Sequence, residues 1–177
     1  RPSPIFFKPW GGMMRRALRS FTHIYVQDEA SKQLLGTIGY NAVDVVGDTR
    51  LDQVIDTRAH AKVFPSLDMW TSGSGMTIVA GSSWPQDEAY YIPWLKEHPE
   101  VRAIIAPHEF DDKRLCSLVS ELGGLEVAAL WSQIKDLASV PAQVRYIVVD
   151  CFGILSSLYK YGQIAIVGGG FGAGIHN

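Results

Sequence analysis

The stretch Ile164-Ala165-Ile166-Val167-Gly168-Gly169-Gly170-Phe171-Gly172-Ala173-Gly174-Ile175-His176-Asn177 decides how this chain is read. A β-branched apolar run opens directly into five glycines among seven residues. Glycine allows positive φ and close approach of a ligand to main-chain N–H groups. A strand that opens into such a turn, ahead of a helix start, is a common seat for an anion. The helix that should follow is expected beyond Asn177. Together with a start at Arg1-Pro2-Ser3-Pro4, without an initiator Met, this makes the chain read as a piece of a longer protein.

Working back from that turn, short buried-looking strands alternate with helical segments. Strands are predicted at 76–80, 101–106, 127–130, 145–149 and 164–167. Helices are predicted at 86–97, 111–122 and 154–161, with Pro93 as a kink, and a weaker helical segment follows residue 130. This alternation argues for a parallel sheet with helices on both faces, an α/β fold. Before it, residues 65–75 carry Pro, Ser, Thr and Gly without a period and read as a linker. Further upstream are a short basic helix at 13–20 and strands at 23–26 and 43–46. A helix capped by Asp28 runs to Leu35, and another spans 51–64.

Composition bounds the function classes. The chain has 177 residues, enough for one domain and part of another, and a hydrophobic fraction of 47% that supports a true core. A formal net charge of −2 leaves no global footprint for nucleic acid. Two cysteines, Cys116 and Cys151, make no disulfide framework and read as reduced thiols of a cytosolic setting. No apolar run reaches the roughly 18–20 residues of a spanning helix.

In a parallel sheet, ligands bind beyond the carboxyl ends of the strands. The residues there are Gly81-Ser82-Ser83-Trp84-Pro85-Gln86-Asp87-Glu88, Pro107-His108-Glu109, Asp150-Cys151-Phe152-Gly153 and the glycine turn. Hydroxyls and helix-start N–H groups suit phosphate, and His108 could donate to phosphate or to a base. Each has a plainer reading. Ser82 or Ser83 caps the next helix; His108 is a surface residue; Gly153 relaxes a turn; Asp111 and Asp112 start a helix. Arg15, Arg16 and Arg19 form a solvated face, with an acidic lipid surface as the alternative. Asp87, Glu88 and Glu109 could serve as acid or base, and nothing in the sequence separates them.

Standard motifs fail. There is no GxxxxGK[ST] and no zinc spacing. Gly168, Gly170 and Ala173 fit GxGxxA, but no acid follows to hold a ribose. Gly73-Ser74-Gly75 lies in the presumed linker, not at a nucleophile elbow.

Seven runs, in order, carry a resemblance: Phe6-Phe7-Lys8-Pro9-Trp10-Gly11-Gly12, Val26-Gln27-Asp28-Glu29, Gly47-Asp48-Thr49-Arg50-Leu51-Asp52, Ala80-Gly81-Ser82-Ser83-Trp84-Pro85, Ile105-Ala106-Pro107-His108-Glu109, Leu155-Ser156-Ser157-Leu158-Tyr159, and Gly168-Gly169-Gly170-Phe171 with Gly174-Ile175-His176-Asn177. Together they closely resemble the 3-deoxy-D-manno-octulosonic acid (Kdo) transferase family, over essentially the whole chain. The resemblance implies a GT-B glycosyltransferase fold with a Rossmann-like donor domain. Residues 1–48 would be the tail of the acceptor domain, 49–75 a connecting helix and linker, and 76–177 an incomplete CMP-Kdo-binding domain.

It implies transfer of Kdo from CMP-Kdo to the lipid A precursor lipid IV-A, by inverting direct displacement, at the cytoplasmic face of the bacterial inner membrane. No cofactor and no metal are implied. Pro107 and His108 would contact CMP; Gly153, Ile154 and Leu155 would line the nucleotide site; Asn177 would begin the segment that closes on it. Ser82, Ser83, Gly169 and Gly170 would approach the phosphate or the sugar carboxylate, and Arg50 would stabilise the transition state. The family's general-base Glu lies upstream of Arg1. The chain alone is therefore expected to be inactive, soluble and prone to self-association through uncovered faces. The alternatives are another GT-B enzyme with a UDP-sugar (a transferase or epimerase), a non-catalytic nucleotide-binding module and, more distantly, a dinucleotide oxidoreductase.

Overall fold

The computed structural model describes residues 4–73 and 75–171. They fall into two compact units, Arg1–Ala59 and His60–Asn177. In the first, a 3-10 turn at Ile5–Phe7 leads to helix α1 (Gly12–Leu18), strand β1 (Ile24–Val26), helix α2 (Glu29–Thr37), strand β2 (Val43–Val45) and helix α3 (Thr49–Ala59). Asp28 caps α2, its carboxylate accepting the Ser31 N–H at 2.6 Å. β1 and β2 pair in parallel over a small core of Leu35, Tyr40 and Val43. Arg15, expected on a solvated face, instead donates to the carbonyls of Phe6 and Lys8 at 3.0 and 2.9 Å. It holds the 3-10 turn against α1.

The second unit opens on a helix. Residues 65–71, expected as linker, form helix α4 (Pro65–Thr71). Proline reads as a breaker, but at the first helical position its fixed φ suits the helix and its missing N–H costs nothing. Leu67 and Trp70, one turn apart, are buried, and the Trp70 indole N–H donates to the Val144 carbonyl at 2.9 Å. The helix expected to run to residue 64 stops at Ala59, and Phe64 is extended ahead of α4.

The sheet elements follow in chain order: β3 (Thr77–Ser83), α5 (Pro85–Glu97), β4 (Arg102–Pro107), α6 (Asp112–Glu121), β5 (Ala128–Leu130), α7 (Trp131–Ile134), β6 (Tyr146–Val148), α8 (Leu155–Leu158) continued by a 3-10 turn, and β7 (Ile164–Val167). The five strands are parallel in the order β5-β6-β4-β3-β7, a layout compatible with a Rossmann-like fold. Pro93 sits inside α5, which continues past it.

Side chains alternate across the strands. Ile78, Ala80, Ala103, Ile105, Tyr146 and Val148 pack with Tyr91, Ile92 and Leu95 of α5 and Leu115 and Leu118 of α6. Val79, Ile104, Ala106, Ile147 and Val149 pack on the other face with Leu67, Trp70, Trp131, Ile134 and Leu158. The division follows from handedness. A right-handed crossover moving one way along the sheet must lie on one face, and one moving the other way on the opposite face. From β3 to β4 and from β4 to β5 the chain moves one way; from β5 to β6 and from β6 to β7 it moves back. The direction reverses between the neighbouring strands β4 and β6, and the crevice opens at that point. No helix among the described residues is long and apolar enough to cross a membrane.

One ion pair joins α5 to α6. Glu88, 1% exposed, accepts from the Arg114 guanidinium through Oε2, and among the described residues its Oε1 has no hydrogen-bond partner. Arg114→Ala would strand this carboxylate in the interior. Chemical denaturation should show a loss of about 3–5 kcal/mol, the usual cost of an uncompensated buried charge. A midpoint equal to wild type would mean the pair contributes nothing. Gly81→Ala should also destabilise. A Cβ there would lie 2.0 Å from the Tyr159 hydroxyl oxygen, and such overpacking costs about 1–3 kcal/mol.

Candidate functional site

The crevice between β4 and β6 holds a cavity of about 160 Å³. Ser82 from the end of β3, Ala106, Pro107, His108 and Phe110 from β4 and its loop, and Val149, Cys151, Phe152, Gly153 and Leu155 after β6 form its walls. Of the residues chosen from sequence, Ser82, Pro107, His108, Gly153 and Leu155 meet here.

Ser82 reaches the cavity through a bulge. Gly81 pairs with Ala106 and Ser83 with Pro107, so Ser82 is the extra residue. Its φ is 51°, the left-handed region that a non-glycine residue enters at a cost. The bulge sends its neighbour the other way. Ser83, 2% exposed, shares a 2.6 Å hydrogen bond with the Tyr91 hydroxyl in the α5 face of the core. Burial there pushes the Tyr91 hydroxyl well above its ordinary range. Neither serine is the helix cap that composition allowed. Trp84 holds that position, and Asp87 accepts its N–H at 2.9 Å.

His108 is exposed, its N–H donates to the Ser83 carbonyl at 2.8 Å, and its ring stacks on Trp84 at 4.4 Å between centroids. Gly153 has φ 82°, which turns the chain after Phe152. Phe152 is 83% exposed and packs on Phe110 at 4.7 Å, so two aromatic rings flank the mouth. Ile154 is buried in the core behind the cavity and does not line it. Gly169 has φ 90°, and its N–H donates to Asp87 Oδ2 at 3.0 Å. Gly170 is exposed beside it. Asn177 lies outside the described residues.

Arg50 belongs to the first unit. Its Nε donates to both oxygens of Asp48, at 2.9 and 3.0 Å, and Nη2 to Oδ2 at 2.5 Å. Asp48 also accepts the Arg50 N–H at 3.0 Å. These bonds hold the Asp48 carboxyl at about 2.

The candidate acids differ in setting. Glu88 is committed to Arg114 and Asp87 to two backbone N–H groups, whereas Glu109 is exposed. Asp150 accepts from the Ser132 N–H at 2.9 Å and from its hydroxyl, which fastens α7 to the end of β6. Burial, then the nearby Asp150, pushes the Cys151 thiol up, so it is a neutral wall residue at pH 7. Sequence reasoning passed over Phe110, Trp84 and Phe152. Each stood inside or beside a strand-end run, but an aromatic residue there reads equally as core. A ring at the start of a left-handed turn, as in Phe152-Gly153, was the available signal.

Two measurements check this description. A carboxyl titration by NMR should place Asp48 at about 2, and Arg50→Ala should move it toward the usual 3.8. Because the folded value is lowered, the stability it contributes is present above 3.8 and lost as pH falls through about 2. Ser82→Val should lose about 1–2 kcal/mol relative to Ser82→Gly, since only glycine enters the left-handed region freely. Equal stability of the two would remove the strain argument.

Comparisons of the chain with family models, with curated proteins and with solved structures find no match.

Proposed function

We propose that the second unit is the donor-binding domain of a GT-B Kdo transferase and that its cavity takes the nucleotide of CMP-Kdo. The supporting observation is that Ser82, Pro107, His108, Gly153 and Leu155, all site residues implied by the resemblance, surround one cavity at the topological switch point. That is where an open α/β sheet binds nucleotides. The Ser82 hydroxyl and the His108 imidazole supply polar groups for a phosphodiester. Phe110 and Phe152 offer flat apolar faces to a pyrimidine.

In the proposed reaction a lipid IV-A hydroxyl attacks the anomeric carbon of Kdo. The bond from that carbon to the phosphate oxygen breaks, CMP leaves with the electron pair, and a general base takes the hydroxyl proton. Charge builds on the departing phosphate, where hydrogen-bond donors lower the barrier. By the resemblance Arg50, in the first unit, is proposed as the transition-state cation; within that unit Asp48 holds its guanidinium. The acceptor places this chemistry at the cytoplasmic face of a bacterial inner membrane.

Isothermal titration of the chain with CMP, UDP and NAD tests the reading. CMP should bind, and His108→Ala should weaken it about tenfold, the worth of one good hydrogen bond to an ion. Binding of UDP or NAD without CMP would favour another sugar-nucleotide enzyme or a dinucleotide enzyme and overturn it.

A further inference from the structure

We propose that Asp87 is the positioning residue of this site: its carboxylate straps the glycine turn after β7 across the bulged end of β3, and so sets where Ser82 and His108 stand. Its effect on nucleotide binding rests on the proposed donor reading; the strap itself does not.

Asp87 is in the first turn of α5 and only 8% exposed. One oxygen, Oδ2, accepts two backbone N–H groups, the local cap N–H of Trp84 at 2.9 Å and that of Gly169, far along the chain, at 3.0 Å. A carboxylate makes such bonds stronger than a neutral acceptor would. The turn it holds is seated against β3. The Gly168 N–H donates to the Gly81 carbonyl at 2.9 Å. A Cβ on Gly168 would lie 2.3 Å from the Ser82 carbonyl oxygen and 2.6 Å from Asp87 Oδ2. Backbone therefore lies on backbone at the one place where β3 is strained, with Ser82 at φ 51°.

Two routes lead from the strap to the cavity. In one, Gly168 lies too near the Ser82 carbonyl to admit a Cβ, and Ser82 lines the cavity. In the other, Asp87 fixes the Trp84 backbone, the Trp84 ring stacks on His108, and His108 lines the cavity. Gly169 also lies close to the Trp84 indole, whose Nε1 is 3.4 Å from where a Cβ would stand. The Gly169 N–H that a loop of this kind could offer to a ligand anion is thus given to the protein's own carboxylate. The turn acts here as a brace.

The test uses Asp87→Ala, Asp87→Asn and Gly168→Ala, with Asp28→Ala as a control that removes a helix cap in the other unit. Three signals are read: amide exchange in the segment 164–171, the His108 ring proton shifts by NMR, and CMP affinity. Asp87→Ala should speed exchange in the segment, shift the His108 ring signals as its stacking on Trp84 changes, and weaken CMP about tenfold or more. Asp87→Asn keeps an acceptor in place and should fall between wild type and alanine. Gly168→Ala should reproduce the His108 shift from the opposite side. Asp28→Ala should lower stability and move none of the three.

Unchanged exchange and unchanged His108 signals in Asp87→Ala would overturn the strap. A change in both with CMP affinity equal to wild type would overturn the positioning role. If wild type does not bind CMP, the donor reading fails, and exchange and the His108 signals alone decide the strap. Should Asp87→Ala not fold, Asp87→Asn and Gly168→Ala carry the same comparison.

Discussion

The handedness of crossover connections is the constraint on which the second unit depends. Once β4 sends its connection toward β5 and β6 sends its own toward β7, the following loops must part to opposite faces of the sheet. The cavity is a necessary product of strand order, and the residues at positions 106–110 and 149–155 surround it because they are the first to leave those two strands. Core packing follows the same rule. The inner strands β3, β4 and β6 are covered by helices on both faces, which is why their residues are apolar on both, whereas the edge strand β7 is largely exposed.

The end of β3 shows how a single extra residue converts a regular strand into part of a site. Without the bulge, Ser82 and Ser83 would keep the alternation of the strand. With it, Ser83 turns to the Tyr91 hydroxyl in the core and Ser82 turns to the cavity. Glycines on either side make this feasible. Gly81 leaves room for the Tyr159 hydroxyl and Gly168 for the Ser82 carbonyl. Strain at Ser82 is held by packing from two directions, the condition under which an unfavourable backbone conformation persists.

Much of this was legible in the sequence. The α/β alternation, every strand of the sheet and the convergence of Ser82, Pro107, His108 and Gly153 follow from period, glycine placement and the strand-end rule; Leu155 came only from the family resemblance. What failed did so for physical reasons. Pro65 looks the same whether it breaks a chain or begins a helix, and only the burial of Leu67 and Trp70 decides between them. Arg15 carries a charge that composition assigns to solvent, yet backbone carbonyls claim its guanidinium. Ser82 and Ser83 are adjacent and chemically alike; a bulge is a property of pairing with β4, and sequence carries no local mark of it. Asp87 is ambiguous in the same way, because an aspartate in a first helical turn satisfies the helix dipole whether or not a distant N–H also reaches it.

The pairing of β3 with β7 has a consequence for the order of assembly. Among the described residues, β3 is the first strand of its unit and lies second from one edge of the sheet; β7, the strand beyond it, comes after the other four, with Ile78 set against Ile164. During synthesis, β3 and β4 can meet early, but the far edge of β3 must wait with its main-chain groups in water. Pairing between segments so far apart is the slow kind. The end of β3, with its bulge and its serines, should therefore be among the last parts of the unit to reach its final shape. A chaperone or a neighbouring nascent chain would meet that open edge first.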